Sequence, residues 1–260
     1  MISWRVEKTA ARNRMTATLV IQSHRDPLPF GWLQSCIDTV AAWAKANRFQ
    51  YRFIGDEIFD LVEPKLLAKA GAQTVIASDL ARLMILQQAL DEGFERVVWC
   101  DADFLVFRPD DFELPPSDFA FGREIWVQAD DRGNLRAYPK LHNAFMMFRR
   151  GNACLDFYAD TATRLLRLNQ GGVPPQFIGP KLLTALHNIV CFPVMERAGM
   201  LSPLVMRDIL ADGGMALDLL RQKSPTALAG ANLSSSLTER EGFTEAEMKI
   251  LIRKLLAAGV

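Results

Sequence analysis

The sequence is short of the devices by which many nucleotide and metal sites announce themselves. No G-x-G-x-x-G follows its first strand-like segment and no G-x-x-x-x-G-K-[S/T] occurs anywhere, so neither a dinucleotide fingerprint nor a P-loop is available. The four cysteines (Cys36, Cys100, Cys154, Cys191) and three histidines form no CxxC and no metal-ligand spacing, which argues against a zinc site and against a disulfide framework. Thirty basic side chains balance thirty acidic ones, so no excess of one sign invites nucleic acid or an anionic membrane. No apolar run approaches the roughly 18 residues that span a bilayer. The charged opening MISWRVEKTAARNRM has no apolar centre and does not read as a secretory signal. Repeats and low-complexity tracts are also missing. The expectation is a cytoplasmic protein, with at most peripheral contact to the inner face of a membrane.

What is present is enough apolar material for one large core. Half of the 260 residues are hydrophobic and no composition break divides them, so residues 1–260 read as a single domain, with 1–14 flexible and 243–257 a terminal helix. TATLVIQSH (16–24) reads as a strand, 32–48 as a helix with Trp32, Cys36, Val40 and Trp43 on one face, and 49–56 as a second strand. That order suggests a parallel βαβ unit. Residues 64–71 form a short helix, 78–93 a longer one, and FERVVWC (94–100) the next strand. Further strands are expected at 118–125 and 141–148, and helices at 154–168 and 181–188. Thr244 and Glu247 compose a capping box, with Phe243 positioned to staple against Met248. The fold class is α/β, a mixed and mostly parallel sheet flanked by helices.

The stretch VVWCDADFLVF (97–107) poses the functional question, because Asp101 and Asp103 interrupt an apolar run. A buried charge without a partner costs about 3 kcal/mol or more, so something positive must meet these acids. Aspartates at i and i+2 of an extended chain project to one side, and at the end of a parallel strand that side is a ligand crevice. Two hard oxygen donors there suit Mg²⁺ or Mn²⁺ carrying a diphosphate. Three other readings compete. The acids could form a turn capped by Arg108. A haloacid-dehalogenase phosphatase also carries an acid pair, but GDEIFD (55–60), which mimics its later acidic motif, precedes the strand, and Leu105 stands where that family has Thr or Val. A Walker B acid lacks its P-loop.

The neighbourhood of the acids carries a resemblance. SDLARLMILQQALDEGFERVVWCDADFLVFRP (78–109) resembles the core of DxD glycosyltransferases of the GT-A fold, nearest to glycosyltransferase family 32 and the glucosylating bacterial toxins. Their "SD-x-x-R-x-x-x-L" stands here as Ser78, Asp79, Arg82 and Leu86. Ser78 is also a natural helix N-cap, with Asp79 favouring the dipole. HNAFMMFRRG (142–151) resembles the following strand, whose asparagine, here Asn143, faces the donor sugar or the acceptor. IGPKLLT (178–184) resembles a "GP-x-x-x-T" stretch, and AGANLSSSL (229–237) sits where relatives supply a late metal or diphosphate contact.

The resemblance implies a metal-dependent transferase moving a sugar from a nucleotide diphosphate sugar, a UDP-sugar foremost, to a hydroxyl of a glycan, lipid-linked or protein acceptor with retention of configuration. Asp103 would hold Mn²⁺ or Mg²⁺ directly and Asp101 the ribose or the metal through water. Asn232 and Ser235 would add metal contacts, and Ser234 a diphosphate contact. Asp79 and Arg82 would hold the sugar and diphosphate, and Gln22 and His24 would meet the nucleoside. A non-catalytic sugar-nucleotide-binding protein of the same fold is the alternative, a metal-dependent phosphatase the more remote one.

Overall fold

The computed structural model describes residues 17–70, 74–170, 172, 174 and 176–260. The flexible segment expected over 1–14 and the last residue of the helix expected over 64–71 fall outside these residues. The elements run in the order β1 (Thr18–Ser23), α1 (Trp32–Ala46), β2 (Gln50–Ile54), a 3₁₀ turn (Asp56–Leu61), α2 (Pro64–Ala70), α3 (Thr74–Asp91), β3 (Arg96–Cys100), β4 (Phe104–Val106), β5 (Phe119–Ala129) and β6 (Leu135–Arg149). They continue with α4 (Ala153–Leu168), α5 (Pro180–Val190), β7 (Val194–Met195), β8 (Ala198–Met200), α6 (Pro203–Leu210), α7 (Met215–Lys223), β9 (Gly230–Asn232), α8 (Ser235–Thr238) and α9 (Glu245–Ala258).

Six strands form one mixed sheet in the order β2-β1-β3-β6-β5-β7. The pairs β2–β1, β1–β3 and β5–β7 are parallel, while β3–β6 and β6–β5 are antiparallel. The β1-α1-β2 unit is the βαβ pattern expected from sequence. β1 reads as an apolar run because both of its faces are covered, whereas β2, at the sheet edge, keeps Gln50 and Phe53 exposed. Leu19, Ile21, Val97 and Trp99 point to the core shared with α3 and α4, while Val20, Val98 and Cys100 point to the core shared with α1. Trp32, Cys36, Val40 and Trp43 of α1 are all buried, as their spacing requires.

A second sheet, β4-β9-β8, was not foreseen. Its three-residue strands are too short to show a period of two. With α6, α7 and α9 it builds another apolar cluster around Leu105, Leu201, Leu217, Ala231 and Leu251. The capping box at Thr244 and Glu247 is present, and Phe243 and Met248 share this cluster. The molecule is one α/β domain with a mixed sheet flanked by helices. No described helix is long and apolar enough to cross a membrane.

Two features bring the site together. The run 97–107 is not one strand: β3 ends at Cys100, a turn holds residues 101–103, and β4 begins at Phe104. In β6, residues 143–145 have no partner on β5, because the register jumps from Gly122↔His142 to Phe121↔Met146. Such a bulge re-aims side chains and bends the strand. His142 is packed against Gly122, where a Cβ would lie 2.2 Å from its ring, and its Nε2 lies 3.0 Å from the Ala198 carbonyl.

Candidate active site

The carboxyl ends of parallel β1, β2 and β3 meet at Ser23, Ile54 and Cys100. The acid turn follows β3 directly, at the edge where ligands enter open α/β sheets. Asp101 and Asp103 do not lie along one strand face, as their i and i+2 spacing had suggested. The turn sends Asp101 toward α3 and Asp103 toward β9, so each meets its own set of donors.

Asp101 meets Arg82. The guanidinium Nη1 is 3.0 Å from Asp101 Oδ1, which also accepts a 2.6 Å hydrogen bond from Trp99 Nε1. Arg82 further donates to the Asn143 carbonyl (3.0 Å) and the Ser78 carbonyl (3.3 Å), and its Nη2 lies 3.4 Å from Asp79 Oδ1. Its plane sits over Trp99 at 5.3 Å. The positive partner demanded by the sequence is thus supplied within the chain. Arg108 does not cap the acids; its side chain donates to the Ala258 carbonyl. Burial alone would lower the Arg82 pKa, but Asp101 and then Asp79 hold it above the ordinary value. Burial pushes the Asp101 carboxyl up to about 6, against the pull of Arg82 and with the repulsion of Asp103 added.

Asp79 is 2 % exposed and its carboxyl is raised by burial, with Arg82 and Asn143 opposing. The Asn143 amide donates to its Oδ1 at 2.8 Å, and Oδ2 has no partner. That oxygen faces Gly179, the residue before α5, where a Cβ would stand 2.7 Å from Oδ2 and 2.9 Å from Asn143 Nδ2. Ser78 does not cap the helix: α3 already runs from Thr74, and Ser78 lies within it as an acceptor for Arg82.

Asp103 is 8 % exposed and faces the chain's late polar segment. The Asn232 amide donates to Oδ1 at 2.5 Å and the Ser235 N–H to Oδ2 at 2.7 Å. Leu233 N–H donates to the Asp103 carbonyl at 3.0 Å. Ser234 adopts a left-handed backbone, φ 52°, with its N–H on Asn232 Oδ1 (2.7 Å). That conformation costs a serine about 1–2 kcal/mol and turns Ser235 N–H toward Asp103. Ser234 Oγ itself points to the Leu201 carbonyl (3.4 Å).

Gln22 is fully buried and occupied at both ends. It donates to the Asp101 carbonyl (3.0 Å) and accepts from Tyr51 Oη (2.9 Å), which makes it a strut for the acid turn and leaves no end free for a nucleoside. His24 is half-buried just past β1, with Nδ1 3.4 Å from the Arg25 carbonyl. The structure therefore joins Asp79, Arg82, Asp101 and Asn143 in one network and Asp103, Asn232 and Ser235 in an adjoining one. Sequence reasoning missed Trp99, Tyr51 and Gly179. Trp99 had a signal, since it lies two residues before Asp101 on the same strand face.

Among the described residues no group of three or more His, Cys, Asp or Glu is disposed to hold a metal ion. Asn232 and Ser235 turn N–H donors rather than oxygens toward Asp103, so the oxygens this turn can offer an ion are those of two carboxylates, Asp101 and Asp103, both hard. They fit a Mg²⁺ or Mn²⁺ ion that keeps the rest of its shell on water and substrate phosphate. A zinc-type site does not fit them.

No protein-family model matches the chain, and no curated protein matches it in sequence. Among solved structures it is similar to the crystal structure of a glycosyltransferase involved in the glycosylation of the major capsid of PBCV-1. The identity is 11 %, the TM-score 0.49, and the match covers 91 % of this chain and 98 % of that one.

Proposed function

We propose that this chain is a glycosyltransferase that uses a nucleotide diphosphate sugar and a divalent cation. The observation that carries the reading is the acid turn at the end of β3, whose two carboxylates are oriented by separate donor sets before any ligand arrives. Asn232 and Ser235 orient the Asp103 carboxylate through the N–H groups they donate to it, and Asp103 and Asp101 would hold the cation. When bound, it would offset the charge that develops on the departing diphosphate.

The remaining work falls to the chain's own groups. Arg82 fixes Asp101 and, through the Asn143 carbonyl, the bulge of β6. Asn143 orients Asp79, whose unpartnered Oδ2 is closed off against Gly179, so a sugar hydroxyl would reach it only if the chain at Gly179 moved aside. Arg82 acts on the ligand mainly through these acids, since each of its nitrogens already faces a protein acceptor. Transfer in such a site depends on placing an acceptor hydroxyl near the leaving group more than on a strong general base. Retention of configuration and a UDP-sugar as donor follow from the resemblance and belong to this proposal.

The test is release of nucleoside diphosphate from a panel of UDP- and GDP-sugars with Mn²⁺, with Mg²⁺ and with chelator, on wild type and Asp103→Asn. The isosteric variant is preferred to alanine, because Asp103 is buried and hydrogen-bonded and its truncation would also cost stability. Metal-dependent release that falls at least a hundredfold in Asp103→Asn supports the proposal. Its absence from every donor rejects it. One observation favours a second reading: both oxygens of Asp103 and one of Asp101 already have protein donors. A protein that binds sugar nucleotides without turnover would show calorimetric binding and no release.

A further inference from the structure

The β5–β6 hairpin extends past the end of β3, and its two faces differ. One face carries Ile125, Val127, Leu135 and Ala137 into the apolar cluster beneath it. On the other, the register sets three cross-strand pairs in a row: Glu124 opposite Lys140, Trp126 opposite Tyr138, and Gln128 opposite Arg136. Directly paired residues share a face, as do alternate residues of one strand. An aromatic pair is therefore flanked on both sides by groups that donate and accept hydrogen bonds.

Two details mark this face as unfinished. Tyr138 is 38 % exposed, although aromatic rings are costly to leave in water. Glu124 is 3 % exposed, yet its Oε2 has no partner and Lys140 Nζ stands 3.6 Å from Oε1. A buried carboxylate oxygen without a donor is expensive, and a ligand hydroxyl would relieve it.

We infer that this face is an oligosaccharide subsite that holds the acceptor glycan of the proposed transfer. The inference rests on the reading of the chain as a glycosyltransferase. Sugar rings combine apolar C–H faces, which stack on aromatic rings, with hydroxyls that both donate and accept. That combination fits an aromatic pair bordered by Glu124, Gln128, Lys140 and Arg136. Position favours the same occupant. β6 runs from this face into the bulge at Asn143, and at about 3.3 Å per residue Lys140 lies roughly 10 Å and Tyr138 roughly 17 Å along the strand from Asn143. Those distances suit sugars beyond the one that receives the transferred unit, so affinity should grow with acceptor length.

The experiment is calorimetric titration of the full chain with mono- to hexasaccharides of hexoses, deoxyhexoses and N-acetylhexosamines, which needs no turnover. Wild type should bind an oligosaccharide at least tenfold more tightly than its monosaccharide. Trp126→Ala should lose at least tenfold of that affinity, Trp126→Phe should stay within threefold of wild type, and Glu124→Gln should weaken binding severalfold. No glycan binding at millimolar concentration, or equal affinity in Trp126→Ala, would overturn the inference. So would a Trp126→Ala variant that changes only the oligomeric state, which would make the face a contact between copies of the chain. The two readings fail separately. Donor turnover without glycan binding removes only the subsite, whereas glycan binding without donor turnover removes the acceptor role.

Discussion

Arg82→Met removes the charge at the centre of the site while keeping an unbranched stem over Trp99. The loss is therefore mainly electrostatic. Asp101 Oδ1 keeps only Trp99 Nε1, Asp79 Oδ1 keeps only the Asn143 amide, and the Asn143 carbonyl loses its side-chain donor. Breaking a buried ion pair from one side costs about 3–5 kcal/mol, a large part of a typical stability of about 5–15 kcal/mol. The cost should depend on pH in a defined direction. Arg82 pulls the carboxyls of Asp79 and Asp101 down against burial, so both rise further without it. A carboxyl whose folded pKa is raised binds more protons in the folded state. Stability then falls as pH climbs from the unfolded value, near 3.9, to the folded one, by up to about 1.4 kcal/mol per pH unit per group. The gap between wild type and variant should thus be small near pH 4.5, wide at pH 8, and partly closed by Asp101→Asn in the variant background. Urea unfolding at pH 4.5, 6 and 8, with the m-value checked, measures it. A gap that is flat with pH, or below about 1 kcal/mol at pH 8, would refute the buried cluster, because it would fall short of the cost of an uncompensated buried charge.

Gly179→Ala forces a methyl group against Asp79 Oδ2 and Asn143 Nδ2. It should cost about 1–3 kcal/mol and reduce donor turnover more than donor affinity, as read from melting temperature and a kcat-against-KM split. His142 is held neutral, its pKa lowered to about 4 by burial, against the hydrogen bond to Ala198. The unfolded ring protonates first, so this residue costs stability as pH falls from about 6.5 toward 4, up to roughly 3 kcal/mol in all. An NMR titration that finds His142 protonated at pH 6 would contradict this. Thr244→Ala removes the capping box of α9 and should lower stability by about 1 kcal/mol without changing metal-dependent donor release.

Legibility followed the range of the interactions. The β1-α1-β2 unit and α9 could be read because their signals are local: the apolar run of β1, buried on both faces, a helical stripe through Trp32, Val40 and Trp43, and a cap within four residues. The site was read in part. Asp101 and Asp103 stood out as charges in an apolar run, and Ser78, Asp79 and Arg82 as a spaced set. Their geometry was not readable, because the turn at Ala102 looks like more strand until β4 is known to pair with β9. The positive partner was in view all along as Arg82. Only the packing of α3 beside β3 decides that it meets Asp101, and no local pattern encodes that. The Asn143 bulge likewise exists only as a mismatch between two strands.

The clasp between Asp103 and the segment around Asn232 spans 129 residues of chain. Ribosomal synthesis delivers the acid turn long before its donors. A nascent chain that has extruded α3, β3 and β6 can already form the arginine half of the site, but Asp103 must wait for β9 to dock before its carboxylate is held. Closing so distant a contact is slow compared with local folding. Completion of the acid turn thus reports that the last third of the polypeptide has folded back correctly, and a stalled or clipped chain would keep its sheet and lack a competent centre.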